Sequence, residues 1–221
     1  MKPIKILLSI IFAAALAGCV TPIPLAEQTP KLDYQAQDKV VISVIDNRKR
    51  VKEGKPKNYV GKAHASFGIP VDWHVNQVLA TEDSDKGKNL SQFLEHRLTT
   101  GLSNSGWNVV AANIDTQPNE SNAKEIITKH DAQKMFVIDL QEWYFSINLN
   151  WVTAFNFDTD ATIYVYELSD GKTLEKDISE RDVIEEKASE SPQNNVLRAY
   201  RDQLIDIFND EDVKKALLDS E

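Results

Sequence analysis

Hydrophobic and polar residues alternate along the chain with two distinct periods, and these periods predict its secondary structure. The β-branched run KVVISVID at 39–46 is bounded by charge, which is typical of a buried strand. The stretch NLSQFLEHRLTTGLSNSGW has apolar residues three and four positions apart, which predicts an amphipathic helix with Asn89 or Ser91 as its N-cap. A short strand at 107–112 and a second helix at 120–132 follow.

Three further strands are predicted almost without interruption. In KMFVIDLQ alternate residues up to Leu140 are apolar, and the apolar positions from Trp143 onward continue in the opposite phase. We therefore predict a bulge or a change of face near Gln141. In AFNFDTDATIYVYEL an inward-facing set alternates with an outward-facing one, and SDGK turns the chain into a hairpin. The inward set is Phe155, Phe157, Ala161, Ile163 and Val165, and the outward set is Asn156, Asp158, Asp160, Thr162 and Tyr164.

The chain ends with a helix at about 192–209 and a short helix at about 210–218. The order β-α-β-α-β-β-β-α indicates an α+β fold. We expect a single domain with a mixed, largely antiparallel sheet and amphipathic helices packed on one face. At 221 residues and 42% hydrophobic, the chain can bury one sizeable core.

The amino terminus has a different pattern, with two lysines before a continuous apolar run. Lys2 and Lys5 precede ILLSIIFAAAL at 6–16, which is shorter than the roughly 20 residues of a membrane-spanning helix and has the length of a secretory signal. The run closes in LAGC, and Cys19 is the only cysteine of the chain. This segment resembles the lipobox of bacterial lipoproteins. The resemblance implies that residues 1–18 are removed and that Cys19 carries covalent lipid.

The residue after the cysteine indicates the membrane to which the protein is sorted. Val20 takes the second position of the mature chain, and in the bacterial sorting rule that this segment resembles, the absence of aspartate favours the outer membrane. We expect attachment to the inner leaflet of the outer membrane of a Gram-negative bacterium, facing the periplasm, since two or more acyl chains anchor stably. With one cysteine no internal disulfide can form, so the core must stabilise the domain.

Residues 19–38 are expected to be the lipidated cysteine and a flexible tether, and residues 39–221 the periplasmic domain. The tether contains three prolines and has no steady period. Fully extended, it would reach about 60 Å from the lipid. The alternative is that this stretch packs as a strand along the domain.

The charge balance is acidic, with one basic exception. The chain has 25 basic and 34 acidic residues, and loss of residues 1–18 leaves a formal charge of −11. This balance argues against nucleic-acid binding, which uses a basic face. The exception is NRKRVKEGKPKNYVGK at 47–62, which carries a net charge of +6. Its basic residues are Arg48, Lys49, Arg50, Lys52, Lys55, Lys57 and Lys62.

This basic segment is a candidate contact for an anionic partner, either lipopolysaccharide or another lipid head group, or an acidic envelope protein. The alternatives are a solvated loop and internal pairing with the acidic remainder of the domain. Farther along, Trp73 lies beside Pro70 in FGIPVDWHVNQV and is a candidate aromatic contact. Its alternative role is to close the edge of the core.

Several of these features together resemble one family. They are LAGC, the first strand, the helix ending in LSNSGW, the hairpin closed by SDGKTLEKD, and the tail VLRAYRDQLIDIFNDEDVKKALLD. The combination is similar to the YajG-type family of uncharacterised bacterial lipoproteins and spans most of residues 39–218. The resemblance implies a periplasm-facing α+β domain and brings no catalytic residues. Residues 47–89 depart from the family pattern.

Catalytic motifs are absent from the sequence. The four histidines are scattered, and no H-E-x-x-H, G-x-S-x-G, P-loop or calcium-loop motif occurs. Asp158 and Asp160 share one face of a strand and are candidate metal ligands without a third partner, the alternative being a solvated outer face. We expect no enzyme activity and no cofactor besides the lipid on Cys19.

Three classes of function are compatible with this sequence. The anchor and the basic segment favour a non-catalytic lipoprotein that binds or scaffolds envelope components. A carrier for a hydrophobic ligand is the alternative, and an envelope hydrolase would need a cleft that buries Asp158 and Asp160. The candidate carrier site is the aromatic series Trp143, Phe145, Trp151, Phe155 and Phe157.

Overall fold

The computed structural model describes residues 21–64, 68–148, 154–184 and 191–218. The strands are β1 (Val40–Asp46), β2 (Tyr59–His64), β3 (Pro70–His74), β4 (Val109–Ala111), β5 (Lys134–Asn148), β6 (Ala154–Glu167) and β7 (Gly171–Ile184). The helices are α1 (Leu25–Gln28), α2 (Lys49–Lys52), α3 (Leu90–Asn104), α4 (Glu120–Lys129), α5 (Pro192–Asn209) and α6 (Glu211–Leu218). A π-helical turn at Val75–Leu79 and a 3-10 turn at Asp83–Asp85 precede α3. No helix within these ranges has the length and apolar character needed to cross a bilayer.

Strand β5 is the centre of a seven-stranded mixed sheet, because it pairs with three strands, β1 and β2 along one edge and β6 along the other. On one edge β6 is antiparallel to β5 over its whole length, and β7 is antiparallel to β6. On the other edge β1 runs parallel to the first half of β5, and β2 runs parallel to the second half. Strands β4 and β3 extend these two halves outward. The predicted single α+β domain with a mixed sheet is confirmed.

A bulge interrupts β5 where the hydrophobic pattern predicts it. The pairing with β6 shifts between Leu140 and Glu142, which leaves Gln141 as the extra residue. One extra residue resets the alternation of side chains, so the apolar positions before and after it lie on the same face. That face carries the main core. Its fully buried side chains from β5 are Phe136, Ile138, Leu140, Trp143, Phe145 and Ile147.

Helices cover both faces of the sheet rather than one. Helices α3, α5 and α6 pack on the main core, whereas α4 lies on the opposite face with Ala123 and Ile127 in a second, smaller cluster. Helix α4 shields this face from water, because β1 and β5 present apolar residues on it as well. Tyr164, expected to face outward, is buried in the same cluster, and Thr162 beside it is also buried.

Residues 21–38 pack along the domain, so the flexible tether is wrong for this stretch. Its buried side chains include Ile23, Gln28, Leu32 and Ala36. The Asn194 side chain accepts a hydrogen bond from the Ile23 N–H at 3.0 Å, and the Trp107 indole N–H donates to the Tyr34 carbonyl at 2.8 Å. Burial of apolar groups and pairing of backbone groups hold the stretch to the domain. It is extended chain with one short helix, α1.

Helix α3 provides much of the surface on which this amino-terminal segment lies. Gly101 allows a close approach, because a Cβ there would stand 2.3 Å from the Pro30 carbonyl oxygen. Arg97 is buried and pairs with the buried Asp85 at 2.6 Å, and it also donates to the Gln28 side chain at 2.9 Å. This charged cluster therefore joins α1, the 3-10 turn and α3.

Candidate binding surface

One half of the sheet has a face that is polar and largely open. Helix α4 packs on β1 and on the parts of β5, β6 and β7 nearest to it. Farther along β5 to β7 the same face carries exposed or half-buried side chains. We call this area the open face, and its residues are Tyr144, Ser146, Asn156, Asp158, Asp160 and Arg181.

Charges of both signs face each other across the strands of this half. Lys62 on β2 stands opposite Asp72 on β3, and Asp158 on β6 stands opposite Arg181 on β7. Opposite charges on facing positions stabilise strand pairing modestly. The open face is therefore suited to a polar or charged partner.

Arg48, expected to contact an anionic partner, is buried and serves the fold instead. Its side chain is 1% exposed and makes two hydrogen bonds to the carboxylate of Asp46, at 2.8 and 2.9 Å. It also donates to the carbonyl oxygens of Tyr59 at 2.7 Å and Lys57 at 3.1 Å. A guanidinium needs such a complete set of acceptors when it leaves water. Arg48 thus links the end of β1 to the start of β2.

The other basic residues lie at the surface, and most are paired within the domain. Arg50 bonds Glu142 at 2.9 Å, Lys57 lies 3.5 Å from Asp115, and Lys55 pairs with Asp72. The hydrogen bond from Lys55 lowers the pKa of Asp72. Lys49 pairs with Glu53 at 3.7 Å and remains 82% exposed, Lys52 is exposed, and Lys62 is half-buried. Many basic residues of the segment 47–62 are therefore paired with acidic residues of the same domain, as one of the alternatives for this segment expects.

Helix α2 places the basic segment beside the open face. The Arg50 guanidinium lies 3.7 Å from the centre of the Tyr144 ring, and the Lys55 ammonium lies 4.6 Å from that of Tyr59. Such cation–ring contacts fix the direction of both side chains. We call the group Lys49, Arg50, Lys52 and Lys55 the cationic corner.

Trp73 lies on strand β3 rather than in a loop. It is half-buried, and its ring meets Phe145 edge to face at a centroid distance of 5.3 Å. This contact closes the core where β3 forms the edge of the sheet, as the alternative for this residue expects.

The two candidate metal ligands share the open face but are not enclosed. Asp158 is half-buried opposite Tyr144, and Asp160 is exposed opposite Glu142. The described ranges contain no group of three His, Cys, Asp or Glu side chains placed to hold a metal ion. The hydrolase alternative requires a cleft that buries both carboxylates, whereas Asp158 is half-buried and Asp160 is exposed.

The histidines lie on separate elements. His64 ends β2, His74 ends β3, and His130 follows α4. His96 on α3 lies 3.2 Å from Asp85, and burial lowers its pKa. This last histidine belongs to the charged cluster around Arg97, which the sequence pattern did not reveal because Asp85 reads as part of a polar loop.

The aromatic series proposed for a hydrophobic ligand is filled core. Trp143, Phe145, Phe155 and Phe157 are buried, and Tyr200 of α5 closes over Trp143 and Phe157 with ring centroids 5.5 and 5.2 Å away. Trp151 lies outside the described residues. Two surface depressions of about 400 and 500 Å³ lie elsewhere, beside the β6–β7 turn and along α4. The carrier alternative gains no support from these side chains.

Comparisons with known proteins leave the family open. No protein-family model and no curated protein matches the chain. A Xanthomonas campestris protein described under DUF330 is 11% identical, with a TM-score of 0.45 and coverage of 90% of either chain. The Neisseria meningitidis lipoprotein GNA1162 is 10% identical, with a TM-score of 0.37 and coverage of 77% of this chain and 97% of its own. Values of this size establish neither a family nor an activity.

Proposed function

We propose that this chain is a lipid-anchored envelope protein whose domain serves as a non-catalytic binding or scaffold component. The observation that carries the proposal is the position of Cys19, in a lipobox-like LAGC, two residues before Thr21. Thr21 is already held by the folded domain, because its carbonyl accepts a hydrogen bond from Asn194 at 3.1 Å. At roughly 3.3 Å per residue, the lipid would lie about 7 Å from this attachment point.

The sequence also supports a particular membrane, a family and a class of partner. Val20 after the cysteine supports the outer membrane, with the domain facing the periplasm. The pattern shared with the YajG-type lipoproteins supports membership of that family. The acidic balance of the mature chain supports a partner other than nucleic acid.

The partner surface that we propose is the cationic corner together with the open face. The pairs Arg50–Glu142 and Lys55–Asp72 hold the corner in place, while Lys49 and Lys52 extend into solvent. Placed side by side, these lysines favour a partner that carries carboxylates or phosphates. An acidic envelope protein and lipopolysaccharide are the two partners with this chemistry.

The anchor is tested by metabolic labelling with an alkyne fatty acid. We expect the wild-type chain to take up the label and to sediment with membranes, and Cys19→Ser to lose both properties. A wild-type chain without label would contradict the proposal.

The partner surface is tested by photocrosslinking in the intact envelope. The probe replaces Glu53, which is exposed beside the cationic corner, and a control probe replaces the exposed Glu125 on α4. We expect a discrete adduct at position 53 alone, with mobility and composition that separate protein from lipopolysaccharide.

Charge reversal then asks whether the lysines form the contact. We expect the double variant Lys49→Glu, Lys52→Glu to lose the adduct. The matched control reverses the exposed Lys129 and Lys215 and should retain it. An adduct that survives in both variants would remove the cationic corner from the proposal.

A further inference from the structure

Three large hydrophobic side chains are exposed in the described part of the chain, and all lie at one end of the sheet. Ile69, Val71 and Val183 are 60%, 45% and 72% exposed. Val71 belongs to one continuous row of cross-strand partners. Ile184, the residue after Val183, belongs to the same row. Ile69 directly precedes β3. The row passes through Val71, Ala63, Ile147, Phe155 and Ile184.

This row is the second from the ends of the strands. The next residues outward, His64, Asn148 and Ala154, form the last pairs of β2, β5 and β6. Val71 lies in this row, and Val183 lies one row inward, opposite Asn156 and on the other face of the sheet. All three exposed side chains thus lie near one end of the described strands. We call Ile69, Val71 and Val183 the apolar end.

Helix α5 points its amino terminus toward the same extremity. The Phe208 ring, at the end of α5, lies 4.5 Å from Phe136 near the start of β5, and the Tyr200 ring lies 5.5 Å from Trp143 in its middle. The helix is thus antiparallel to β5. From Tyr200 to Asn194 the helix extends about 9 Å in this direction, at a rise of about 1.5 Å per residue, so Asn194 lies on the side of the apolar end.

The chain enters the domain at this place. Asn194 accepts from the Ile23 N–H at 3.0 Å and donates to the Thr21 carbonyl at 3.1 Å. Cys19 precedes Thr21 by two residues. The candidate lipid attachment and the exposed hydrophobic residues therefore share one end of the molecule.

The opposite end of the sheet is charged. There Lys176 bridges Asp210 and Asp212 at 2.7 Å, and Lys134 pairs with Glu167 at 3.1 Å. Strand β6 separates the two ends by 14 residues, or about 45 Å at the usual rise of a strand. Only the end that holds the amino terminus presents large apolar side chains among the described residues.

We propose that the apolar end rests on the lipid bilayer beside the anchor, with the long strands steep to the membrane and the β6–β7 turn pointing away from it. This inference rests on the proposed lipid anchor. Acyl chains fix one point and leave the orientation free, whereas exposed apolar side chains at the same end enter the boundary between headgroups and acyl chains.

Site-specific quenching tests this orientation. Cys19 is the only cysteine and its sulfur carries the lipid in the mature protein, so a second, introduced cysteine can be labelled selectively. The full-length lipidated variants Val71→Cys, Val183→Cys and Asp170→Cys receive an environment-sensitive fluorophore. Each is reconstituted into phosphatidylethanolamine–phosphatidylcholine vesicles with brominated acyl chains. We expect loss of fluorescence at position 71 or 183 and unchanged fluorescence at position 170, in the β6–β7 turn.

Vesicle flotation separates the two proposals. If the wild-type protein does not float, the anchor is wrong and the orientation is rejected with it. If it floats but positions 71 and 183 emit like position 170, the orientation is wrong while the anchor stands. All three positions are exposed, so unfolding temperatures equal to wild type serve as the check on folding.

Discussion

Replacing Gly101 with alanine tests whether residues 21–38 belong to the folded domain. A Cβ at this position would stand 2.3 Å from the carbonyl oxygen and 2.7 Å from the Cδ of Pro30, closer than such atoms approach. If the segment were a free tether, the same change would only replace glycine by a better helix former and stabilise α3 by about 1 kcal/mol. The two arrangements therefore predict effects of opposite sign.

The magnitude follows from the packing around Pro30. Inserting a methyl group into a filled contact costs typically 1–3 kcal/mol, and the helical preference of alanine offsets about 1 kcal/mol of this. If the segment detaches instead, burial of Ile23 and Leu32 is lost, at about 1.5–3 kcal/mol for each side chain. With the segment still packed, we therefore expect the free energy of unfolding to fall by up to about 2 kcal/mol.

Two measurements on the lipid-free domain beginning at residue 20 check this expectation. Urea unfolding followed by tryptophan fluorescence gives the stability, and trypsin cleavage after the exposed Lys31 reports release of the segment. The control is Gly87→Ala, where a Cβ would meet no atom within 4 Å. A more stable Gly101→Ala variant, with Lys31 cut as fast in wild type as in the variant, would refute the packed arrangement.

Replacing Arg48 with methionine leaves the buried Asp46 without its cation, so urea titration should show a loss of about 3–5 kcal/mol. Arg50→Met is the control and should cost under about 1 kcal/mol because its side chain is partly exposed; equal losses would contradict the structural role of Arg48. Burial raises the pKa of Glu95, so the folded state holds this proton more tightly than the unfolded state does. The unfolding free energy of wild type relative to Glu95→Gln should therefore fall as the pH rises above the ordinary carboxyl pKa of 4.5, and a difference that does not change with pH would refute this account. Oleate should leave the tryptophan emission unchanged because the aromatic series is closed, whereas a saturable shift would favour the carrier function.

The local hydrophobic periodicity was sufficient to predict secondary structure wherever neighbouring residues determine it. The change of phase around Gln141 predicts the bulge, and the apolar spacing after Asn89 predicts α3. Of the two candidate N-caps, Asn89 caps the helix, and Gln92 completes a capping box. In α4 the spacing of Ala123 and Ile127 predicts a helix but does not say which face of the sheet it covers. That choice depends on apolar residues of β1 and β5, which are distant in sequence.

The hydrophobic pattern did not reveal the burial of Arg48, strand β2 or the packing of the amino-terminal segment. Each of these depends on contacts between residues that are distant in sequence. Arg48 reads as one member of a charge run, and only the approach of Asp46 and the Tyr59 carbonyl makes its burial favourable. The stretch YVGKAH is short and lies among charges, yet β5 offers it a free edge for parallel pairing. The prolines of the amino-terminal segment suggest a tether, but Asn194 and Trp107 bind its backbone.

The bond between Ile23 and Asn194 joins positions 171 residues apart, which has a consequence for the order of folding. In a chain that emerges amino terminus first, β5, β6 and β7 can pair with their neighbours as soon as they appear, because these contacts are local. The amino-terminal segment has to wait for α5, and β1 for β5. Contacts of such large sequence separation slow folding. We therefore expect the domain to gain its full stability only after nearly the entire chain has emerged.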